Sequence, residues 1–238
     1  MKKYILLFIP IIFYALSLFT YYEGIDSHWI YVMKIVVNLF TVSICLGLIL
    51  KVTTLHNVMN WLIAASFVIY FIVLYQQTIF NQFYFDRVEF NPENLSFLFY
   101  SVNVIPLRGI IEVIQNSPNA IFQIVGNLIM LTPFAFCMMY FKWAKKMKSA
   151  IIYSFFISLF IETIQFIQHV LGLLLNIGFG RSTDMDDVIL NTLGAVGGVG
   201  CYYIWTKIEK MFHHGRVKKM YRKQGFLNYF IKEGKQND

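Results

Sequence analysis

A carboxylate stands in the middle of an apolar run. Glu162 is preceded by a long hydrophobic stretch, and Gln165 and His169 follow at i+3 and i+7, so all three share one helix face. An ionisable group inside hydrocarbon costs at least ~2.5–3.5 kcal/mol, so it turns toward a bundle interior. There it acts as polar glue between helices or lines a functional pocket. The densest polar cluster comes later: Arg181, Asp184, Asp186, Asp187 and Asn191 fall within one short stretch. Ser182 or Thr183 can cap a helix that begins there, and acids in its first turn suit the helix dipole. Capping accounts for one or two of the aspartates and leaves the rest for other work. Asp187 and Asn191, at i and i+4, share a face. Three carboxylates in one turn are weak grounds for a hard-cation site, and no metal centre is expected. Arg181 is suited to gripping a phosphate or carboxylate through two parallel bonds. Arg108 lies on the same side of the membrane, and Asn127 lies six residues before Pro133 in another apolar run. Pro133 removes a backbone bond and predicts a kink.

These residues need elements to hold them, and composition says which. Of the 238 residues, 58% are hydrophobic and only 14% charged, against roughly a quarter charged in soluble domains. The apolar residues form blocks close to the ~18–20 residues that cross a bilayer core. Six are expected to span: 4–22, 29–50, 61–80, 120–141, 149–175 and 187–205. Continuous blocks must satisfy their backbone internally, so the fold class is all-α, a polytopic membrane helix bundle. The first block follows Lys2 and Lys3 but lacks a small-residue cleavage site, and reads as a retained helix. Cys45, Cys137 and Cys201 all fall within apolar blocks and read as small core residues. Gly194 and Gly198 make a G-x-x-x-G, the spacing that lets helices approach closely in lipid.

Lysine and arginine set the orientation. Sixteen lie on one side of the six spans, three (Arg87, Arg108 and Arg181) on the other, and Lys34 sits inside a helix near its end. Both termini are therefore expected in the cytoplasm. The basic stretch Lys207 to Lys235 is expected to lie on the anionic inner leaflet rather than on nucleic acid. The domain reading is three helices in 1–80, an extracytoplasmic loop in 81–119, a three-helix unit in 100–206 and a basic cytoplasmic tail in 207–238.

The order and spacing of four groups resemble the VanZ-like family, named for a teicoplanin-resistance protein. They are Asn103-Val-Ile-Pro106; Asn127 with Pro133-Phe134; Glu162 with Gln165; and Arg181-Ser-Thr-Asp184-Met-Asp186-Asp187 with Asn191-Thr-Leu-Gly194. The resemblance covers about residues 100–205. Ala135 stands where the family commonly has Gly, and Thr183 where an aromatic is common. Neither departure alters a charged position. The resemblance implies a multi-pass protein of the bacterial cell membrane, in some cases lowering sensitivity to teicoplanin-type lipoglycopeptides.

Three functions fit. The first is a non-catalytic envelope protein holding an amphiphilic or lipid-linked ligand, with membrane lipids as its surroundings and no cofactor. Its expected pocket gathers Asn127, Glu162, Gln165, Arg181, Asp184, Asp186, Asp187, Asn191 and Arg108, with Arg181 as the counter-charge at the mouth. The second is an intramembrane enzyme acting on a lipid headgroup, with Glu162 or an aspartate as general base; no phosphate loop, zinc helix or nucleophile turn supports it. The third is a small flippase or transporter, which the lack of inverted repeats disfavours.

Overall fold

The computed structural model describes residues 2–20, 28–79, 88–177 and 183–234. The chain is an α-helical membrane bundle, and five helices among the described residues are long and apolar enough to cross a bilayer. They are α2 (His28–Val52), α3 (Val58–Thr78), the pair α6 (Ala120–Met130) and α7 (Thr132–Tyr140) counted together, α8 (Met147–Leu174) and the first part of α9 (Met185–Gly234). Their outer faces carry exposed residues such as Phe40, Leu48, Leu62 and Phe160. So much exposed apolar surface fits lipid and not water.

The first apolar block is not one regular α-helix. It runs as a 3-10 turn Lys2–Leu7, then α1 (Phe8–Ser17), then a 3-10 turn Leu18–Thr20. Pro10 is the reason: it has no N–H for the carbonyl four residues back, so it tolerates only the first turn of an α-helix. With ~2.0 Å rise per 3-10 residue and ~1.5 Å per α residue, the described block is about 33 Å long, comparable to a hydrocarbon core. Lys3 donates through Nζ to the Lys51 and Thr53 carbonyls, each at 2.9 Å. It thereby caps the end of α2, a favourable place for a cation. At the other end the Tyr31 hydroxyl donates to the Ser17 carbonyl. The block is thus antiparallel to α2, with Lys3 and Lys51 at one end, as the charge pattern anticipates.

Pro133 breaks its span as expected. Leu131 sits between α6 and α7, and Pro133 occupies the first turn of α7. Turns with left-handed residues close α7 and α8: Lys142 (φ 60°) follows α7 and Asn176 (φ 51°) follows α8. Near the α7 end, Phe67 of α3, Phe134 and Trp143 pack ring against ring, with Phe67–Trp143 centroids 5.2 Å apart. Gly194 and Gly198 bring α9 against α6 and α7. A Cβ on Gly194 would stand 1.8 Å from the Leu128 carbonyl oxygen, and one on Gly198 would stand 2.2 Å from that of Thr132. Gly197, on another face, meets nothing within 4 Å.

Between α3 and α6, residues 88–119 are folded rather than irregular. A 3-10 turn (Pro92–Phe97), α4 (Leu98–Ser101), β1 (Val102–Asn103) and α5 (Arg108–Asn116) follow one another. Residues 89–91 are hung on the end of α8: the Glu89 and Asn91 N–H groups donate to the Leu175 and Leu174 carbonyls at 3.1 and 2.9 Å. These bonds satisfy helix-end carbonyls that would otherwise lack partners. Residues 1–199 form one compact unit, and residues 200–238 form a second, in which the α9 helix continues.

Candidate functional site

The polar residues converge where α9 begins. Glu162, on α8, is only 4% exposed. Its Oε2 accepts the Asp184 backbone N–H at 3.0 Å. Asp184 lies in β2 (Thr183–Asp184), which pairs in parallel with β1, Val102 opposite Thr183 and Asn103 opposite Asp184. Asp184 Oδ1 accepts twice at 2.9 Å, from the Asn103 amide and from the Asp186 N–H. The Asn103 side-chain oxygen in turn accepts the Ile105 N–H at 3.1 Å, the local bond that turns the chain toward α5. Burial is the largest influence on the Asp184 carboxyl and pushes it above the ordinary carboxylate range. The Asp186 and Glu112 charges push the same way, while the bonds from the Asp186 N–H and from Asn103 hold it down.

Asp186 is turned toward α5. Its carboxylate, 1% exposed, accepts the Leu107 N–H and, at 3.0 Å, the Ile110 N–H. Leu107 (φ 68°) precedes α5 and offers no side-chain cap of its own. Asp186 therefore caps a helix far away in sequence, with its charge on the positive end of the dipole. The fit is tight, because a Cβ on Gly109 would stand 2.1 Å from Asp184 Oδ2. Asp187 accepts a bond from the Asn127 amide of α6. One turn on, fully buried Asn191 donates to the Ser158 hydroxyl of α8 at 2.9 Å. β2 and the first turns of α9 are thus tied to β1, α5, α6 and α8 by side chains, in a region where an unmade polar bond is expensive.

The sequence-derived residues divide. Asn127, Glu162, Asp184, Asp186, Asp187 and Asn191 belong to this connected set. Gln165 shares the buried face of α8 but reaches elsewhere, donating to the Thr78 carbonyl at the end of α3 at 3.0 Å; Gln168 does the same to Ile79. Arg108 pairs with Glu112 at 2.7 Å on the exposed side of α5, both side chains more than half exposed. It stands apart from the buried acids. Arg181 lies outside the described residues. His169 is buried, and neither ring nitrogen has a hydrogen-bond partner among the described residues.

Three participants were missed as site residues: Asn103, Gly109 and Ser158. Asn103 and Ser158 had legible signals. Asn103 opens the Asn103-Val-Ile-Pro106 group, and Ser158 precedes Glu162 by four residues on the same helix face. Chemically the aspartates are committed to backbone and amide donors. No group of three or more His, Cys, Asp and Glu among the described residues is placed to hold a metal ion.

A family model described as VanZ/LLP1 matches residues 67–206, more than half of the chain. No curated protein and no solved structure matches it.

Proposed function

This chain belongs to the VanZ/LLP1 family, and on that footing we propose that it binds an amphiphilic or lipid-linked ligand in the bacterial envelope and lowers susceptibility to teicoplanin-type lipoglycopeptides. What carries the reading is the junction at the start of α9. Glu162, the Asp184–Asp187 turn, Asn127 and Asn191 are fixed by hydrogen bonds at one end of the bundle. A rigid polar floor of this kind suits recognition of a headgroup. Arg181, three residues before Asp184, is the residue proposed to meet the ligand's phosphate or carboxylate. The bonds these acids accept from the Asp184, Asp186, Leu107 and Ile110 N–H groups and from the Asn103 and Asn127 amides give them a structural role that supports binding over catalysis.

One observation favours a second reading, a lipid-headgroup enzyme. A carboxyl held above its ordinary range, as Asp184 is, can retain a proton for acid–base work. Two measurements separate the readings. Expression in a sensitive Gram-positive host should reduce teicoplanin killing, with a smaller effect on vancomycin, which carries no lipid tail. Lipids co-purified with wild type and with Arg181→Ala should then be compared by mass spectrometry. A retained lipid present only in wild type supports binding, whereas a lipid altered in its headgroup supports the enzyme. An Arg181→Ala/Asp187→Ala protein of equal membrane abundance that behaves like wild type in every envelope challenge defeats both.

A further inference from the structure

The helix α5 has two faces. At 100° per residue, Ile110, Ile111, Val113 and Ile114 fall on one half of its circumference, and Arg108, Glu112, Gln115 and Asn116 on the other. In a water-bathed loop the apolar half would pack inward. Here the residue turned into the protein is Gly109, which faces Asp184, while Ile111 and Ile114 stay 52% and 61% exposed. The approach to the helix repeats the pattern, with Val104, Ile105 and Leu107 exposed as well.

Both ends of α5 are tied to the starts of spanning helices. Its first turn is bonded to Asp186, in the opening turn of α9. Its last turn leads through Ser117–Asn119, closed by the Ser117 N–H to Val113 and the Ala120 N–H to Ser117 bonds, into the first residue of α6. Both α6 and α9 begin their apolar spans at these points. A helix tied at both ends to the starts of spanning helices is held near the level where those spans begin. Its exposed apolar face continues into Ile121 and Phe122, both about 80% exposed at the head of α6, where a spanning helix can face only lipid or another protein.

We propose that residues 104–116 form an interfacial element. Helix α5 rests in the headgroup–acyl boundary of the leaflet opposite the basic Lys142–Lys148 loop. Ile110, Ile111 and Ile114 meet acyl chains, and the Arg108–Glu112 pair meets headgroups and water. The partner is the lipid surface itself. The arrangement needs no ligand in the acidic junction and stands whether or not the binding function holds.

The test uses the full chain in proteoliposomes of phosphatidylglycerol and phosphatidylethanolamine, with Cys45, Cys137 and Cys201 replaced by alanine. A bimane probe is placed singly through Ile114→Cys, Gln115→Cys and, as the lipid-facing reference, Phe122→Cys. Lipids spin-labelled high on the acyl chain should quench the Ile114 probe about as much as the Phe122 probe, and aqueous iodide should spare both. The Gln115 probe should show the reverse. Ile111→Cys repeats the reading on the same face if the Ile114 variant is not recovered folded. Iodide reaching Ile114 and Ile111 as readily as Gln115 would overturn the proposal in favour of an aqueous loop. Quenching by neither agent would overturn it in favour of a protein cover.

Discussion

The close approach of α9 to α6 at Gly194 gives the sharpest test. Gly194→Ala would set a methyl 1.8 Å from the Leu128 carbonyl oxygen and 2.9 Å from its carbon. A methyl and an oxygen rest about 3.3 Å apart, so α9 and α6 must part by roughly 1.5 Å. Neither contacting atom can swing aside, since both belong to helix backbone. Separation also breaks the bond from the Thr132 hydroxyl to the Gly194 carbonyl, 2.9 Å long. Overpacking costs about 1–3 kcal/mol, and an interhelical bond in a membrane protein contributes about 0.6–1.7 kcal/mol. Alanine returns about 1 kcal/mol through its better helix propensity. The net expectation is a loss centred near ~2 kcal/mol, within about 0.6–3.7 kcal/mol, on the order of 4–8 °C in midpoint at the centre. Gly197→Ala is the control: with nothing within 4 Å of its Cβ, it should be neutral or slightly stabilising. Thermal unfolding in detergent, read by fluorescence-detected elution, compares the two. If the Gly194 and Gly197 variants melt together, the close approach of α6 and α9 is wrong. Thr132→Val, which removes the donor without adding much volume, separates the bond from the clash.

Asp186→Ala should release the Leu107 and Ile110 amides, weaken α5 by about 1–2 kcal/mol and speed hydrogen exchange there, while Asp186→Asn retains one acceptor and most of the protection. Asp184 binds its proton more tightly folded than unfolded, so its ionisation penalty is absent at low pH and appears as pH rises through the raised value; Asp184→Asn keeps an acceptor for Asn103 and Asp186 and should flatten that decline, melting higher than wild type at neutral pH and no higher in acid. An Asp184→Asn profile parallel to wild type would mean the carboxyl is not perturbed. For orientation, a single cysteine at exposed Glu93 should label from outside intact cells and one at Lys145 should not; labelling at Lys145 would reverse the assignment of sides.

The sequence by itself determined the class and the parts. Long apolar blocks leave only helices, because hydrocarbon offers the backbone no partner. The charge pattern groups the helix ends, and the Lys3 cap on α2 agrees with that grouping. G-x-x-x-G marked the face of α9 that meets α6, and Pro133 marked the break between α6 and α7. Even the polar set was largely legible, since Glu162, Asp184, Asp186, Asp187, Asn127 and Asn191 are few and conspicuous against an apolar background.

Which partner each residue takes was decided only by the tertiary structure. Helical periodicity fixes a side chain's bearing around its own axis and leaves open the rotation of one helix against the next. Gln165 shares the face of Glu162 yet bonds the end of α3, because that carbonyl lies opposite its turn. Asp186 looks like a cap for its own helix, α9, but satisfies the first N–H groups of α5, reached through the β1–β2 pairing that lays residue 103 beside residue 184. Arg108 was expected among the pocket residues, and the Asp186 cap orients α5 so that Arg108 points outward to Glu112. Contacts between residues some eighty positions apart leave no periodic trace in one chain; they exist because buried donors and acceptors must find each other once lipid has excluded water.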